Sequence, residues 1–268
     1  MSSKDWLRRY IEGLSIDEAE ELAEIIDLLE MDPGILYHEL SKYKTKWRVL
    51  KPRWSRMSRP SLLKEVEGEV TKLPEPNTIK ISIDDVLRQR RSIRDYRPTP
   101  ITLKELSTLL YYSAGIKGYD WGYPKRMFPS AGALQPLEIY VHANMIEDLE
   151  KGIYHYQPKK HILVSYKKGD FARELYLYSL QQEHVYEAAA NLLITVVYSR
   201  TYSKYGYRAY RYINLDLGHL GQNIYLVATA LGLGTCAVGA FEDDPINRLL
   251  NIDGREEFIG MIYPIGKI

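Results

Sequence analysis

The chain has 268 residues, 45% of them hydrophobic, a formal charge of +1 and a single cysteine. That size and apolar content suffice for one sizeable core, and near-neutrality gives no electrostatic case for nucleic acid or a polyanionic surface. Cys236 alone cannot form an intrachain disulfide, no apolar run approaches the ~20 residues of a membrane span, and no basic-then-apolar leader opens the chain, so a cytoplasmic protein is expected.

The texture of the chain predicts an N-terminal helix and extended arm over residues 1–76 and a main domain over 77–268. Ser15-Ile16-Asp17-Glu18 has the form of a capping box. The helix it opens runs through Leu22, Ile25, Ile26 and Leu29 and stops at Asp32-Pro33-Gly34. From Tyr37 to Val70 the chain is basic and aromatic without clear periodicity. Two readings are open for this arm: it packs on the main domain, or it walls a substrate channel. Leu73-Pro74-Glu75-Pro76 closes it as a linker.

In the main domain Ser82 with Asp85 caps a helix carrying Ile83, Val86 and Leu87, and Thr102 with Glu105 caps another through Leu103, Leu106, Leu109 and Leu110. Residues 115–136 read as loop, rich in Gly, Tyr and Pro. Leu137–Val141 alternates as a strand, and Gly152–Tyr156 with Ile162–Tyr166 forms a hairpin around Gln157-Pro158-Lys159-Lys160. A short helix is predicted over 171–181. Leu192–Tyr198 is a continuous apolar run typical of a central strand.

From Lys204 a charged, tyrosine-rich turn leads into a long helix in which Ile213, Leu217, Leu220, Ile224, Val227 and Leu231 step by three or four. Tyr212, Leu215, Tyr225, Leu226 and Ala228 leave its other face apolar too, which suits a domain centre or a subunit interface. Gly232 and Gly234 are expected to end it. A helix over Asp244–Leu250 and a strand over Phe258–Ile265 complete the chain. Without a regular βαβ repeat the expected class is α+β, an antiparallel or mixed sheet with helices packed on it.

Three stretches invite a chemical reading, each beside a plainer one. Arg90, Arg91, Ser92 and Arg94 offer guanidinium forks and a hydroxyl suited to phosphate, or are an ordinary charged surface run. Ser130, Ala131, Gly132 and Ala133 form a loop of tiny residues before a strand, or a simple turn. Ala237, Gly239 and Ala240, with Val238 among them, have side chains small enough for the backbone of this loop to lie against a flat ligand. Gly232–Ala237 formally fits a dinucleotide fingerprint but follows a helix and precedes a strand, the reverse of what that site needs. The six histidines lack metal-ligand spacing, and no metal is expected. His219 reads as a core or interface histidine, Cys236 as a small buried residue, and Lys204 by spacing alone as a solvated lysine.

Taken together, Arg90-Arg91-Ser92-Ile93-Arg94-Asp95-Tyr96, PSAGALQP at 129–136 and GLGTCAVGAF at 232–241 resemble the FMN-dependent nitroreductase superfamily. Tyr37-His38-Glu39, Arg59-Pro60, Leu73-Pro74 and the stretch Lys204–Tyr212 through Asp216, Gly218-His219 and Gln222-Asn223 are similar to the SagB-type dehydrogenases, which oxidise peptide thiazolines and oxazolines to azoles. The resemblance implies a nitroreductase-like fold and a homodimer with FMN and the long helix at its interface. It implies that Arg90, Arg91, Ser92 and Arg94 hold the phosphate, ribityl chain and pyrimidine edge. Ser130 to Ala133 would lie along the cofactor, and Ala237 to Ala240 would face the ring with an N–H near N5. Lys204 and Tyr205 match a proton-removing pair. The chain stops at Gly266-Lys267-Ile268, so Lys267 is the one C-terminal basic residue for the phosphate. The substrate would be a small molecule or peptide, with a peptide-cyclising protein as partner. An NAD(P)H-driven nitro or quinone reductase, and a flavin-binding partner protein without turnover, are the alternatives.

Overall fold

A computed structural model of the chain describes residues 15, 16, 32–42 and 60–268. The predicted N-terminal helix beyond Ile16, and the arm over 43–59 with Arg59, lie outside them. The chain groups into two compact units, one of Pro60–Thr201 with Tyr212–Ile268, the other of Tyr202–Arg211 with the residues up to Arg59.

The larger unit is built on a seven-stranded sheet in the order β1-β6-β5-β4-β7-β9-β8. The strands are β1 (Val70–Lys72), β4 (Leu137–Ala143), β5 (Gly152–Gln157), β6 (Ile162–Lys168), β7 (Ala190–Val197), β8 (Leu233–Thr235) and β9 (Glu257–Lys267). Every neighbouring pair is antiparallel, so of the two expected sheet types the antiparallel one is found. β4 is buried along its whole length and β7 up to Val196. Leu137, Ile139, Val141, Leu192, Leu193, Ile194 and Val196 are removed from water, each burial stabilising by roughly 1.5–3 kcal/mol. Polar residues in these two strands meet across the ladder: Glu138 faces Thr195 and His142 faces Asn191. On one side of the sheet Leu175, Val185, Ile246 and Leu250 close a cluster with Tyr140, Leu193 and Ile262.

The helices start where their caps predict. Ser82 accepts from the Asp85 N–H at α2 (Ile83–Gln89), and Thr102 and Glu105 form a reciprocal box at α3 (Leu103–Ala114). The short helix expected over 171–181 is α4 (Ala172–Tyr178), followed by α5 (Glu183–Tyr186), and the last helix is α8 (Asp243–Leu249). α7 (Ala209–Ala230) buries Ile213, Leu217, Leu220, Ile224 and Val227 as its periodicity predicts, while Leu215 on its other side is 53% exposed.

Several local expectations are corrected. Residues 115–136 are not all loop: β2 (Ile116–Asp120) and β3 (Tyr123–Arg126) form a hairpin. Its tight turn places Trp121 at φ 49 and Gly122 at φ 80. Tryptophan in a left-handed position hides a turn that Asn-Gly or Asp-Gly would have announced. The turn expected from Lys204 is instead the end of α6 (Tyr198–Tyr205) and a 3-10 turn (Gly206–Arg208). Asp32-Pro33-Gly34 starts a helix; the helix it was expected to stop lies outside the described residues. Asp32 accepts from the N–H groups of Gly34 and Ile35 at 2.8 and 3.4 Å, and Pro33 leads α1 (Pro33–Leu40) from the first position, where its missing N–H costs nothing. Gly232, at φ 67, ends α7. Gly234 has a different task, since a Cβ there would lie 2.9 Å from Ile93 Cγ2 and 3.0 Å from Tyr96 Cε1.

Within the smaller unit, α1 is tied to residues 208–211. Arg208 Nη1 donates to the Ser41 carbonyl at 2.8 Å and Arg211 Nη2 to Ser41 Oγ at 2.7 Å, and the Tyr37 and Tyr210 rings meet edge to face.

Candidate functional site

Two loops of the larger unit that are far apart in sequence converge on one phenol. The first leaves α2 at Arg90 and runs to Tyr96. It is fixed by backbone, with Ile93 N–H donating to the Thr235 carbonyl and Arg97 N–H to the Lys267 carbonyl, each at 2.9 Å. The Tyr96 hydroxyl donates to the Ile93 carbonyl at 3.0 Å. Gly266 leaves room for the Tyr96 ring, because a Cβ there would stand 2.5 Å from Tyr96 Cγ. The second loop leaves β8 at Cys236 and continues through Phe241.

Tyr225, on α7, joins them. Its hydroxyl accepts from the Ala237 N–H at 2.8 Å and lies 3.0 Å from Ser92 Oγ. The Arg90 guanidinium lies over its ring, 5.4 Å from the centroid. Arg91, Ser92 and Arg94 are exposed, and among the described residues none of the three arginines of this loop is ion-paired with a carboxylate. Unpaired guanidiniums beside a serine hydroxyl make a donor set for a phosphate.

In the second loop the Val238 N–H donates to the Ile262 carbonyl at 2.8 Å, so the amides of Ala237 and Val238 are both used within the protein. The N–H groups of Gly239 and Ala240 donate to no acceptor among the described residues, and both residues are exposed. A Cβ on Gly239 would meet only Met261, at 3.7 Å or beyond, so the space over this backbone is open. The Ala240 carbonyl accepts from Gln182 Nε2 at 2.8 Å, which fixes the peptide from behind. Cys236 is buried, as expected. An unpaired arginine cluster, a hydroxyl and two open amides on small residues together fit an anionic ligand with a flat, hydrogen-bonding ring.

Ser130 to Ala133 are held elsewhere on α7, by Asp216. Ser130 Oγ donates to Asp216 Oδ2 at 2.7 Å and the Ala131 N–H to Oδ1 at 3.1 Å. Gly132, Ala133 and Gln135 have φ of 62, 56 and 50, a tight left-handed turn. Burial raises the Asp216 carboxyl above its usual range, and the Ser130 and Ala131 hydrogen bonds oppose that. His219 Nδ1 lies 3.9 Å from Asp216 Oδ1, and His219 is 47% exposed, so it is not a core histidine. Lys267 is ion-paired with Glu105. Lys204 and Tyr205 belong to the smaller unit, with the Lys204 ammonium 5.4 Å from the centroid of the Tyr205 ring.

Tyr225 and Asp216 are the residues to which the sequence assigned no role. Asp216 had a visible signal, a carboxylate one residue before Leu217 on the buried stripe of an apolar helix, where an unpartnered charge is costly. Tyr225 had none, because its partners are remote in sequence. An open cavity of about 770 Å³ lies elsewhere, lined by Pro60–Glu65, Pro124, Lys159, Arg200 and Glu257, and contains none of the predicted site residues. Among the described residues no cluster of His, Cys, Asp or Glu could hold a metal, and no helix is long and apolar enough to cross a membrane.

Comparison with known proteins identifies the family to which this fold belongs. The model of the nitroreductase family matches residues 87–267. A Methanocaldococcus jannaschii protein, MJ1384, whose name assigns it to the nitroreductases, is 39% identical over 200 residues, covering 75% of this chain and 98% of that one. The microcin B17-processing protein McbC of Escherichia coli is 28% identical over 143 residues, 51% of this chain, and the match spans about half of McbC's length (52%). A chain in the structure of the E. coli microcin synthetase McbBCD complex with truncated pro-MccB17 bound has the same fold, with a TM-score of 0.59 at 21% identity over 96% of this chain and 98% of that one. The α+β fold and the sequence resemblance to SagB-type proteins thus have independent support. The chain belongs to the nitroreductase family and is an oxidoreductase of that family.

Proposed function

We propose that the chain is an FMN-dependent oxidoreductase, and that the observation carrying this reading is the meeting of Arg90, Ser92 and Ala237 at the Tyr225 side chain. Arg90, Arg91, Ser92 and Arg94 would hold the phosphate, ribityl chain and pyrimidine edge. Gly239 and Ala240 would present their unused N–H groups to the ring, with Ala237 and Val238 as the braced backbone beneath them. Fixed amide dipoles of this kind stabilise charge that develops during reaction without reorganising. When bound, FMN supplies the capacity to accept or return a hydride. Lys267, ion-paired with Glu105, would reach the phosphate only by exchanging that partner.

The cofactor site is proposed to be completed by a second copy. Asp216 and Tyr225 are nine residues apart on α7, and at about 100° per residue their side chains leave the helix on nearly opposite sides. That placement supports a homodimer in which the loop Ser130–Ala133 of one protomer lies along the cofactor held by Arg90, Ser92 and the Gly239 region of the other.

The finer reading is dehydrogenation of a peptide azoline to an azole, supported by the McbC relationship and the Lys204-Tyr205 pair. One substrate carbon would lose a hydride, and Lys204 in its neutral form, with Tyr205 beside it, would remove the proton from the next. Such a chain would act with a peptide-cyclising partner. Lys204→Ala is expected to retain FMN at the wild-type ratio and to lose azoline oxidation by at least about a hundredfold. Unchanged turnover would remove Lys204 from the mechanism. The nitroreductase name of MJ1384 favours a second reading, an NAD(P)H-driven nitro or quinone reductase. Rapid bleaching of bound flavin by NADPH in the absence of peptide would select it.

A further inference from the structure

Tyr225 does more than join the two loops, because the direction of its hydrogen bonds has a chemical consequence. Its oxygen accepts from the Ala237 N–H at 2.8 Å, a donor whose role is fixed. The phenol keeps one proton, and Ser92 Oγ, 3.0 Å away, is the acceptor within reach. A serine hydroxyl that accepts there has its own proton left to give, and Ser92 is exposed. The reverse assignment would have Tyr225 accept twice and leave its proton without a partner.

The phenol is also held in place. The Arg90 guanidinium covers its ring, and the Tyr263 ring meets it edge-on at 6.2 Å. Gly221, one turn earlier on α7, makes room for Tyr263, whose hydroxyl would lie 2.0 Å from a Cβ at that position.

We propose that Tyr225 is a positioning residue for cofactor binding: the chain Ala237 N–H to Tyr225 hydroxyl to Ser92 hydroxyl turns the Ser92 proton outward, towards an oxygen of the bound flavin nucleotide. This rests on the FMN reading above. Hydrogen bonds in series polarise one another, so the last donor is stronger than an isolated serine. The same chain fixes the spacing between the arginine loop and the small-residue loop before any ligand arrives.

The test is a double-mutant cycle on FMN affinity, read by flavin fluorescence on apo-protein. Tyr225→Phe and Ser92→Ala are each expected to weaken FMN binding on the order of tenfold. The double variant should be no weaker than the poorer single one, because both changes cut the same chain. Losses that multiply, or a Tyr225→Phe affinity equal to wild type, would overturn the proposal. Tyr263→Phe, which removes a neighbouring hydroxyl outside the chain, should bind FMN as the wild type does; an equal loss there would also overturn it. Urea unfolding of each apo-variant separates a folding defect from a binding defect, and Ser92→Ala at an exposed position keeps the test decisive if Tyr225→Phe is unstable. Wild-type protein that binds no FMN would refute the underlying reading instead, so the two failures are distinguishable.

Discussion

The molecule contains two groups of arginines in opposite circumstances. Arg126 and Arg200 are each 3% exposed and held by acceptors inside the fold. Arg126 donates to the carbonyls of Ala114 and Leu137 at 2.7 and 2.9 Å. Arg200 donates to those of Ser61 and Gln135 and pairs with Glu138 at 2.6 Å. Glu138 also takes the Lys64 N–H at 2.9 Å and His155 Nε2 at 3.2 Å. Arg90, Arg91 and Arg94 stand at the surface with no carboxylate among the described residues. The same side chain is a strut in one place and an open donor in the other, and its partners, not its identity, say which. A buried guanidinium must have its donors satisfied by the fold, whereas one whose fork is left open is available to an incoming anion.

The largest effect expected from this contrast is on stability. Glu138→Ala would leave Arg200 buried without its carboxylate, at a cost of about 3–5 kcal/mol in urea unfolding. A loss below about 1 kcal/mol, the range of an exposed pair, would break the contrast.

Next comes pH. His142 is fully buried, pairing with Asn191 at 3.2 Å, and burial pushes its imidazole down to about 4, with Asp170 and Lys151 exerting opposite smaller pulls. Its folded value lies below its unfolded one, so between about pH 6.5 and 4 the unfolded chain binds more protons and stability falls as pH falls. That loss totals about 3 kcal/mol and should flatten in His142→Leu, as read from urea midpoints across this window. Glu138 adds a second loss in stronger acid. Burial raises its carboxyl, but the His155 hydrogen bond and the Arg200 and Arg126 charges outweigh this and hold it well below the ordinary range. Its contribution is present above the ordinary carboxylate value and vanishes as pH drops through the depressed one.

The smallest effect on folding, and a clear one on binding, is expected from Arg90→Ala. Charge-assisted bonds to a phosphate are worth roughly 1.5–3 kcal/mol, so FMN affinity should fall about ten- to a hundredfold. Apo-stability should change by at most about 1 kcal/mol, the worth of stacking on Tyr225. Stability lost without a change in affinity would reverse the roles assigned to the two groups.

The sequence made the scaffold visible and left the connections hidden. Ser82 and Thr102 announced their helices because capping is local chemistry, and Leu192–Val196 announced a central strand because the run is almost wholly apolar. Glu138 and Arg200 gave no sign of one another, being separated by 62 residues and joined only when β4 and the start of α6 pack. Gly234 looked like a helix terminator, but its lack of a side chain serves the packing of Ile93 and Tyr96, which lie nearly 140 residues earlier in the chain. The arginine loop and the small-residue loop were recognisable as motifs. What the fold adds is the phenol between them, and the open amides of Gly239 and Ala240, which have no protein acceptor among the described residues.

Flavin titration of the purified protein decides whether the arginine loop and the small-residue loop hold FMN. Stripped of any bound nucleotide and titrated with FMN, the chain should bind one equivalent per protomer, shift the visible flavin bands and quench their fluorescence, with much weaker binding in Arg90→Ala. A colourless protein whose titration leaves the FMN spectrum and fluorescence unchanged, in wild type and variant alike, would contradict the account.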